Sequence, residues 1–499
     1  MTKPHNIKLL IIIVLIKAII FGAYVVAIHK NFPPDDITKG IFFSSADTRD
    51  YYEPIERLLK GEGYSLEHSI DGGAFTVLPW AYRMPGLLPI YAPLNVLLGT
   101  DWAKFTVILL QFFLELVSIY LLAKMAVAIF KNKSFVICLV LYTFNTLASV
   151  YTVHATAESF CISFVIFSFH FIFKYSQTRN NKHLFLTGLF LCWAIYFRTV
   201  VIIFIPVYLT LVLHFLYTNK NLNLKSAINE LLVLFAVFIL AETMWISRNY
   251  KTMGRFIPLN DSFEAIATKQ ELALYKLIIT WGGDIQNWNP SEGRWFVIPS
   301  TSRRRMYDAD FQKTNPFRNY IFTLDYNLDS LVELRSIYWK TFKKTSPIDS
   351  SSYYKEAFVA KTNKYIQSFK QQKPLYYYLI AKLVHLKTFV LIKTAYGLPF
   401  VGKSIFNKFI RVASVLYYYF ILFFGIIGMF FIWKERKNMP ALLLSAGWLM
   451  FTFTHAWFGY TEFRYSLPAY PILTLFAAHS LTHIFDYIKK RKTQSTLTF

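Results

Sequence analysis

The fold class is decided by a stretch near the start of the chain that reads LLIIIVLIKAIIFGAYVVAI and covers residues 9–28. It contains one charged residue, Lys17. Its length matches the ~20 apolar residues that an α-helix needs to cross a lipid bilayer. No small-residue cleavage site follows it, so we expect a retained membrane span rather than a cleaved signal peptide.

Similar apolar runs recur along the chain, which is 55% hydrophobic and 16% charged. A soluble protein carries roughly 25% charged residues. The runs lie at 8–28, 103–130, 134–152, 159–175, 184–198, 199–217, 227–246, 409–433, 440–457 and 467–487. This pattern predicts an all-α polytopic membrane protein with about ten or eleven transmembrane helices.

The chain carries a net charge of +24. In a soluble protein such a charge would indicate a nucleic-acid partner. Here Lys and Arg cluster in short loops beside the apolar runs, as the positive-inside rule requires. We therefore expect membrane lipids as partners and no nucleic acid, with an anionic lipid or lipid-phosphate substrate as a second reason for the charge.

The basic loops also predict the topology. If all of them face the cytoplasm, two large segments lie outside, at residues 29–102 and 247–408. The predicted units are an N-terminal transmembrane core at 1–260 that includes the first outer loop, a large extracytoplasmic loop at 261–408, and C-terminal helices with a basic tail at 409–499. Within the large loop, residues 374–401 fit either a helix along the interface or an eleventh span.

Several short motifs are set aside. Cys138, Cys161 and Cys192 lie inside apolar runs and form no CxxC pair, so neither a disulfide framework nor a structural zinc site is expected. The DxD at Asp308–Asp310 lacks a surrounding βαβ pattern and is interpreted as surface acids. The sequence has no Walker loop, so it gives no support to ATP-driven transport.

The first outer loop carries the leading candidates for chemistry. Asp47 and Asp50 fit a general base with a neighbour that tunes it; they also fit ordinary solvated acids, and Asp47 could cap a helix predicted over Tyr51–Lys60. Arg83 would pair with a carboxylate, a phosphate or a lipid headgroup.

Other candidates lie at the outer ends of later spans. Glu158 opens a span, where an acid is costly unless it is paired or functional. Arg198 sits at a predicted hairpin turn and fits snorkelling to lipid headgroups. Arg248 follows a span in an interfacial Trp–Arg step. Glu462 and Arg464 lie in one short turn; Arg464 is the first choice for a phosphate contact, and an internal Glu–Arg pair is the alternative.

Taken in order, these motifs resemble the GT-C superfamily of polytopic glycosyltransferases. The closest resemblance is to the bacterial branch related to the protein O-mannosyltransferases and to the lipid A aminoarabinose transferase. This branch is similar to glycosyltransferase family 39. It covers about residues 8–260 and 440–485. The matching residues are Asp47, Tyr51, Gly61–Tyr64, Arg83, Pro85, Gly86, Pro89, Ala92, Ala157–Ser159, Trp245, Arg248, Asn249, Tyr250, Gly254, Pro258, Glu462, Arg464, Tyr465 and Pro468.

The resemblance implies a transferase in the bacterial cytoplasmic membrane whose active site faces the periplasm. It implies a polyprenyl-phosphate sugar donor, a glycan, lipid or protein acceptor, and inversion with Asp47 as general base. Some members use a divalent metal ion, for which Asp47, His154 and Glu158 are the candidate ligands. The residues implied to bind substrate are Asp50, Tyr51, Arg83, Glu158, Arg248, Glu462 and Arg464.

Three alternatives remain open at this point. A transporter or flippase of lipid-linked glycans would show inverted repeats and broken helices, whereas this sequence shows large asymmetric loops. A GT-C-like polymerase or ligase that joins whole glycans would differ only in its acceptor. A catalytically dead relative could serve as a scaffold, although the intact Asp47 argues against it.

Overall fold

The computed structural model describes residues 4–31, 46–69, 75–130, 134–218, 223–261, 268–283, 319–341, 348–392, 395 and 397–495. The motif at Asp308–Asp310 lies outside these residues. The helices are α1 (Pro4–Asn31), α2 (Ala46–Leu59), α3 (Leu88–Leu98), α4 (Thr100–Phe130), α5 (Ser134–Thr143), α6 (Thr146–Ser149), α7 (Glu158–Thr178), α8 (Asn181–Phe197), α9 (Ile205–Thr218), α10 (Leu224–Met253), α11 (Lys269–Thr280), α12 (Leu328–Lys340), α13 (Ile348–Gln372), α14 (Ala381–Val390), α15 (Ile405–Glu435), α16 (Met439–Phe458) and α17 (Tyr470–Ser495).

Shorter elements join these helices. Strands β1 (Ser65–Ser69) and β2 (Phe75–Pro79) pair as an antiparallel hairpin. The turns of 3-10 helix are Val150–Thr152, Thr199–Phe204, Asn319–Ile321 and Phe463–Ala469. A π-helical turn, Tyr376–Ile380, precedes α14.

Within the described ranges, seven helical segments are long and apolar enough to cross a membrane, and the α5–α6 pair, bent by 50°, would make an eighth. This confirms the predicted all-α polytopic class. Within the same residues, the apolar runs predicted at 184–198 and 467–487 do not meet this test of length and hydropathy. One reason is that α8 has only 17 residues. The other is that His479, His483 and Asp486 lower the hydropathy of α17.

Small residues let the helices of the membrane core approach closely. A Cβ atom at Gly188 of α8 would overlap the backbone carbonyl of Leu234 of α10. The same holds for Gly428 of α15 against Phe476 of α17. These contacts draw the helices together and thereby fix the ends at which the candidate site lies.

The first outer loop folds onto the helix ends. Helix α2 begins at Ala46, not at Tyr51 as predicted, so Asp47 lies in its first turn, where a negative charge interacts favourably with the helix dipole. Its inner face buries Tyr51, Tyr52 and Ile55. The hairpin β1–β2 was not predicted.

The second large loop has a hydrophobic core of its own. Leu274 and Trp281, from α11 and the turn after it, pack with Leu331 of α12 and Tyr365 of α13. Residues 374–390 are helical but are not among the candidate spans of the described chain. The proposed unit boundaries at 260 and 408 stay predictions.

Candidate active site

Two arginines hold the Asp47 carboxylate. Arg83 Nη2 donates a hydrogen bond to Asp47 Oδ1 at 2.9 Å. Arg464 Nη1 donates to the other oxygen, Oδ2. Arg83 precedes α3 and Arg464 follows α16, so the fold joins parts of the chain that are far apart in sequence.

A second carboxylate, Glu158, lies beside the first. Arg198, which caps the C-terminus of α8, donates from Nη2 to Glu158 Oε1. Arg464 Nη1 lies 3.6 Å from the same oxygen and therefore bridges the Asp47 and Glu158 carboxylates. On its other side, Arg464 Nε forms a 2.9 Å ion pair with Glu462 Oε2. We call these three arginines with Asp47, Glu158 and Glu462 the arginine–carboxylate cluster.

The cluster separates the pKa values of the two aspartates. Burial disfavours the ionised form of Asp47, but the charges of Arg464, Arg83 and Arg198 outweigh burial and lower its pKa to about 2. Burial raises the pKa of Asp50 to about 6. The positive charge of Arg83, whose Nε lies 3.8 Å from Asp50, offsets only part of this rise, and the negative charge of Asp47 increases it. Asp47 is therefore ionised throughout the physiological range, and Asp50 titrates near its lower end.

A cavity of ≈690 Å³ opens beside the cluster. Arg83, Arg198, Glu462 and Arg464 line it on the polar side. Many of its other lining residues are aromatic, namely Tyr51, Tyr82, Tyr196, Phe197, Tyr275, Phe458, Tyr460 and Tyr465. Such a mixture of charge and rigid ring surface suits a polar ligand that also has apolar faces.

The rings pack against the arginines. The guanidinium of Arg83 lies 5.2 Å from the ring centre of Tyr51 and 4.8 Å from that of Tyr82. Those of Arg198 and Arg464 lie 5.6 Å and 5.7 Å from the ring of Tyr465. These contacts fix the guanidinium planes and add cation–π attraction.

Arg248 is the predicted arginine contact that does not join the cluster. Its Nη1 donates to the carbonyl of Trp80 at 2.8 Å and to Asn249 Oδ1 at 2.9 Å, and its Nη2 donates to the carbonyl of Tyr64. It lines a second, mainly apolar cavity of ≈800 Å³ bounded by Trp193 and Trp245. Arg248 therefore fastens the first outer loop to α10.

The candidate metal ligands are not arranged around a common point. His154 Nε2 lies 3.2 Å from the carbonyl oxygen of Gly397, while arginines hold Asp47 and Glu158. In the part of the chain that the structure describes, no three His, Cys, Asp or Glu side chains are grouped to hold a metal ion. The residues do not fit a metal, so no chemical step is assigned to one.

Sequence reasoning missed part of the site. Arg198 was interpreted as a headgroup contact, although its place on the same face as Glu158 could have indicated the pair. Tyr82, Tyr275 and Tyr460 were not singled out. No local motif marks them, because their proximity arises only when loops from three regions meet.

Fold and cluster together define a polytopic membrane protein with a buried arginine–carboxylate site at the ends of its helices. Residues 91–246 match the family model described as dolichyl-phosphate-mannose-protein mannosyltransferase. The match confirms the predicted resemblance to the protein O-mannosyltransferase branch of the GT-C superfamily. No curated protein matches the chain.

Two solved structures are similar. One is the archaeal oligosaccharyltransferase AglB from Archaeoglobus fulgidus in complex with an inhibitory peptide and a dolichol-phosphate, at 11% identity and a TM-score of 0.49. The similarity covers 99% of this chain and 52% of that one, so this chain spans about half its length. The other is ArnT from Cupriavidus metallidurans bound to undecaprenyl phosphate, at 13% identity and a TM-score of 0.33, with 94% and 77% covered.

Proposed function

We propose that this protein is a glycosyltransferase that moves a sugar from a polyprenyl-phosphate donor to a hydroxyl acceptor. The observation that carries the proposal is the Asp47 carboxylate held between Arg83 and Arg464 beside a cavity. The family match at residues 91–246 supports the reaction class. We place the site on the extracytoplasmic face of a bacterial cytoplasmic membrane.

The arginines supply what the leaving group needs. A polyprenyl phosphate leaves as a stable anion, so the site must bind a phosphate and need not protonate it. Arg83, Arg198 and Arg464 present three guanidiniums whose planar donors match phosphate oxygens. Their fixed positions pre-organise the site for the charge that develops as the glycosidic bond breaks.

Asp47 is the proposed base. Its oxygen accepts the proton of the acceptor hydroxyl while the acceptor oxygen bonds to the anomeric carbon and the bond from that carbon to the phosphate oxygen breaks, with inversion. With a pKa of about 2, Asp47 is a weak base as long as Arg83 and Arg464 are fully committed to it. A donor phosphate competes for the same guanidiniums and thereby raises the basicity of Asp47 when the donor is bound.

The apolar cavity of ≈800 Å³ is the proposed place for the start of the polyprenyl chain. Residues 79–89 lie between the two cavities: Pro85 and Gly86 line the apolar one, whereas Tyr82 and Arg83 line the polar one. Tyr196 lines both. This arrangement lets one amphipathic donor place its chain on one side of the segment and its phosphate and sugar on the other.

Sugar transfer from a panel of polyprenyl-phosphate sugars, measured with purified wild type and Asp47→Asn, tests the proposal. General-base catalysis contributes about 10²- to 10⁴-fold, so we expect Asp47→Asn to lose turnover by that factor. The matched control is Asp101→Asn, which neutralises an exposed carboxylate in the first turn of α4; it should keep wild-type turnover.

Two results would contradict the proposal. Full turnover by Asp47→Asn with an accepted donor removes Asp47 as base. A flippase is favoured instead if the wild type moves a lipid-linked glycan across the membrane of vesicles without consuming any donor. Thermal unfolding of each variant separates loss of chemistry from loss of fold.

A further inference from the structure

One wall of the reaction cavity comes from the second large loop. Tyr275 is the residue of α11 that lines the ≈690 Å³ cavity, where it joins Tyr82 and Tyr460. It does not line the neighbouring apolar cavity. Helix α11 therefore contributes a side chain to the lining of the polar cavity and none to that of the apolar one.

The position of Tyr275 is fixed by its own domain. A capping box between Thr268 and Glu271 starts α11. Leu274 and Leu277, on the opposite side of the helix from solvent, are fully buried in the second core. The Tyr275 ring remains partly exposed. The helix is thus anchored before any ligand arrives, so little entropy is lost when the ring makes a contact.

Helix α11 is also tied to the turn that carries Arg464. The buried His385 ring lies between the two: its Nε2 is 2.8 Å from the carbonyl oxygen of Gly283 and its Nδ1 is 3.2 Å from that of Ala456, and the neutral ring donates to one of them. Lys382 Nζ donates to the carbonyl of Trp457 at 2.6 Å. These contacts cap the C-terminal end of α16 and hold α11 in a constant relation to the cluster.

The tyrosine rings that line the cavity come from different parts of the chain. Those of Tyr51, Tyr82 and Tyr465 lie under the guanidiniums of the cluster. A donor sugar is bonded directly to its phosphate and must therefore lie at these guanidiniums. Tyr275 reaches the cavity from a different part of the chain and offers ring surface to a second ligand.

We propose that Tyr275 is an acceptor-specificity residue that stacks on a sugar ring, so that the acceptor is a saccharide. This inference rests on the proposed function and deepens it. The C–H face of a pyranose is apolar and flat, whereas its hydroxyls need polar partners, and a partly exposed tyrosine beside a charged cavity supplies both kinds of surface.

The test compares Tyr275→Ala and Tyr275→Phe with wild type in transfer to a short glycan acceptor. Loss of the ring should lower kcat/KM for the glycan about tenfold, which corresponds to 1.4 kcal/mol, while KM for the donor is unchanged. Tyr275→Phe keeps the ring and should stay near wild type. Tyr353→Ala removes a highly exposed tyrosine of α13 in the same loop and should have no effect.

Binding of the glycan to donor-free protein, measured by calorimetry, gives a second reading that does not need turnover. Ring-dependent binding without transfer by wild type would support the site and refute the proposed function. Transfer to peptides but not to glycans would support the proposed glycosyltransferase function and refute the saccharide acceptor site at Tyr275. Three results would overturn the assignment of Tyr275 to the acceptor. Tyr275→Ala could raise the donor KM as much as it lowers kcat/KM for the glycan, or it could leave both unchanged. Alternatively, Tyr275→Phe could be as impaired as Tyr275→Ala.

Discussion

Breaking the buried pair between Glu158 and Arg198 should destabilise the protein strongly. Their side chains are 2% and 8% exposed. Removing one partner of such a pair costs about 3–5 kcal/mol, because the remaining charge is left buried without compensation. We expect Arg198→Met at the lower end, since Arg464 lies 3.6 Å from Glu158 and partly replaces the lost charge. Glu158→Gln should lie at the upper end, since Glu158 is the carboxylate, among the described residues, that forms an ion pair with Arg198.

The double variant isolates the interaction energy between Glu158 and Arg198 from the contributions of their other neighbours. Glu158→Gln together with Arg198→Met removes both charges, so its free energy of unfolding should fall by less than the sum of the single losses. The coupling energy should be about 2–3 kcal/mol, as for residues in one network. Equilibrium unfolding in mixed micelles, followed by tryptophan fluorescence, measures all three variants against wild type.

An exposed ion pair provides the matched control. Lys361 and Glu333 are paired with side chains 43% and 62% exposed. Breaking an exposed pair costs about 1 kcal/mol or less. The reasoning fails if the losses at Glu158 and Arg198 simply add, or if Glu333→Gln costs as much as Glu158→Gln. Either result would mean that the cluster is solvated.

Asp50 and Gly188 provide two other tests of the structure. The pKa of Asp50 is raised from 3.8 to about 6, so the folded state binds more protons than the unfolded state between these values and loses stability as pH rises through them. Asp50→Asn should therefore be more stable than wild type by about 3 kcal/mol well above pH 6 and equal to it well below pH 4, as measured by unfolding across that range. Gly188→Ala should cost about 3 kcal/mol, because its Cβ would overlap the Leu234 carbonyl, whereas Gly22→Ala, with open space around it, should not destabilise in the same unfolding assay.

The fold class could be predicted because crossing a bilayer constrains composition directly. Helices α8 and α17 follow less directly from composition. Helix α8 is apolar but stops at Arg198, which is drawn into the cluster. Helix α17 carries His479 and His483 among apolar residues, and its hydropathy does not reveal that it packs closely against α15.

The residues of the site could be predicted in part. The order of the motifs placed Asp47, Arg83, Glu158 and Arg464 on one face, and the structure brings these four together. The sequence could not tell that a single arginine would bridge both carboxylates. It could not place Arg248 outside the cluster either, because a guanidinium that binds backbone carbonyls has the same local sequence as one that binds phosphate.

The charges inside the membrane core explain how the site is held in place. Lys17 of α1 pairs with Glu115 of α4 at 2.7 Å, and both contact the hydroxyl of Ser149, the last residue of α6. Buried charges are costly in this environment unless they are paired. One helical turn from Glu115, Gln111 Nε2 donates to the carbonyl of His154 at 3.0 Å. The polar residues of α1 and α4 thus hold the chain segment that leads into Glu158 from Ser149 to His154.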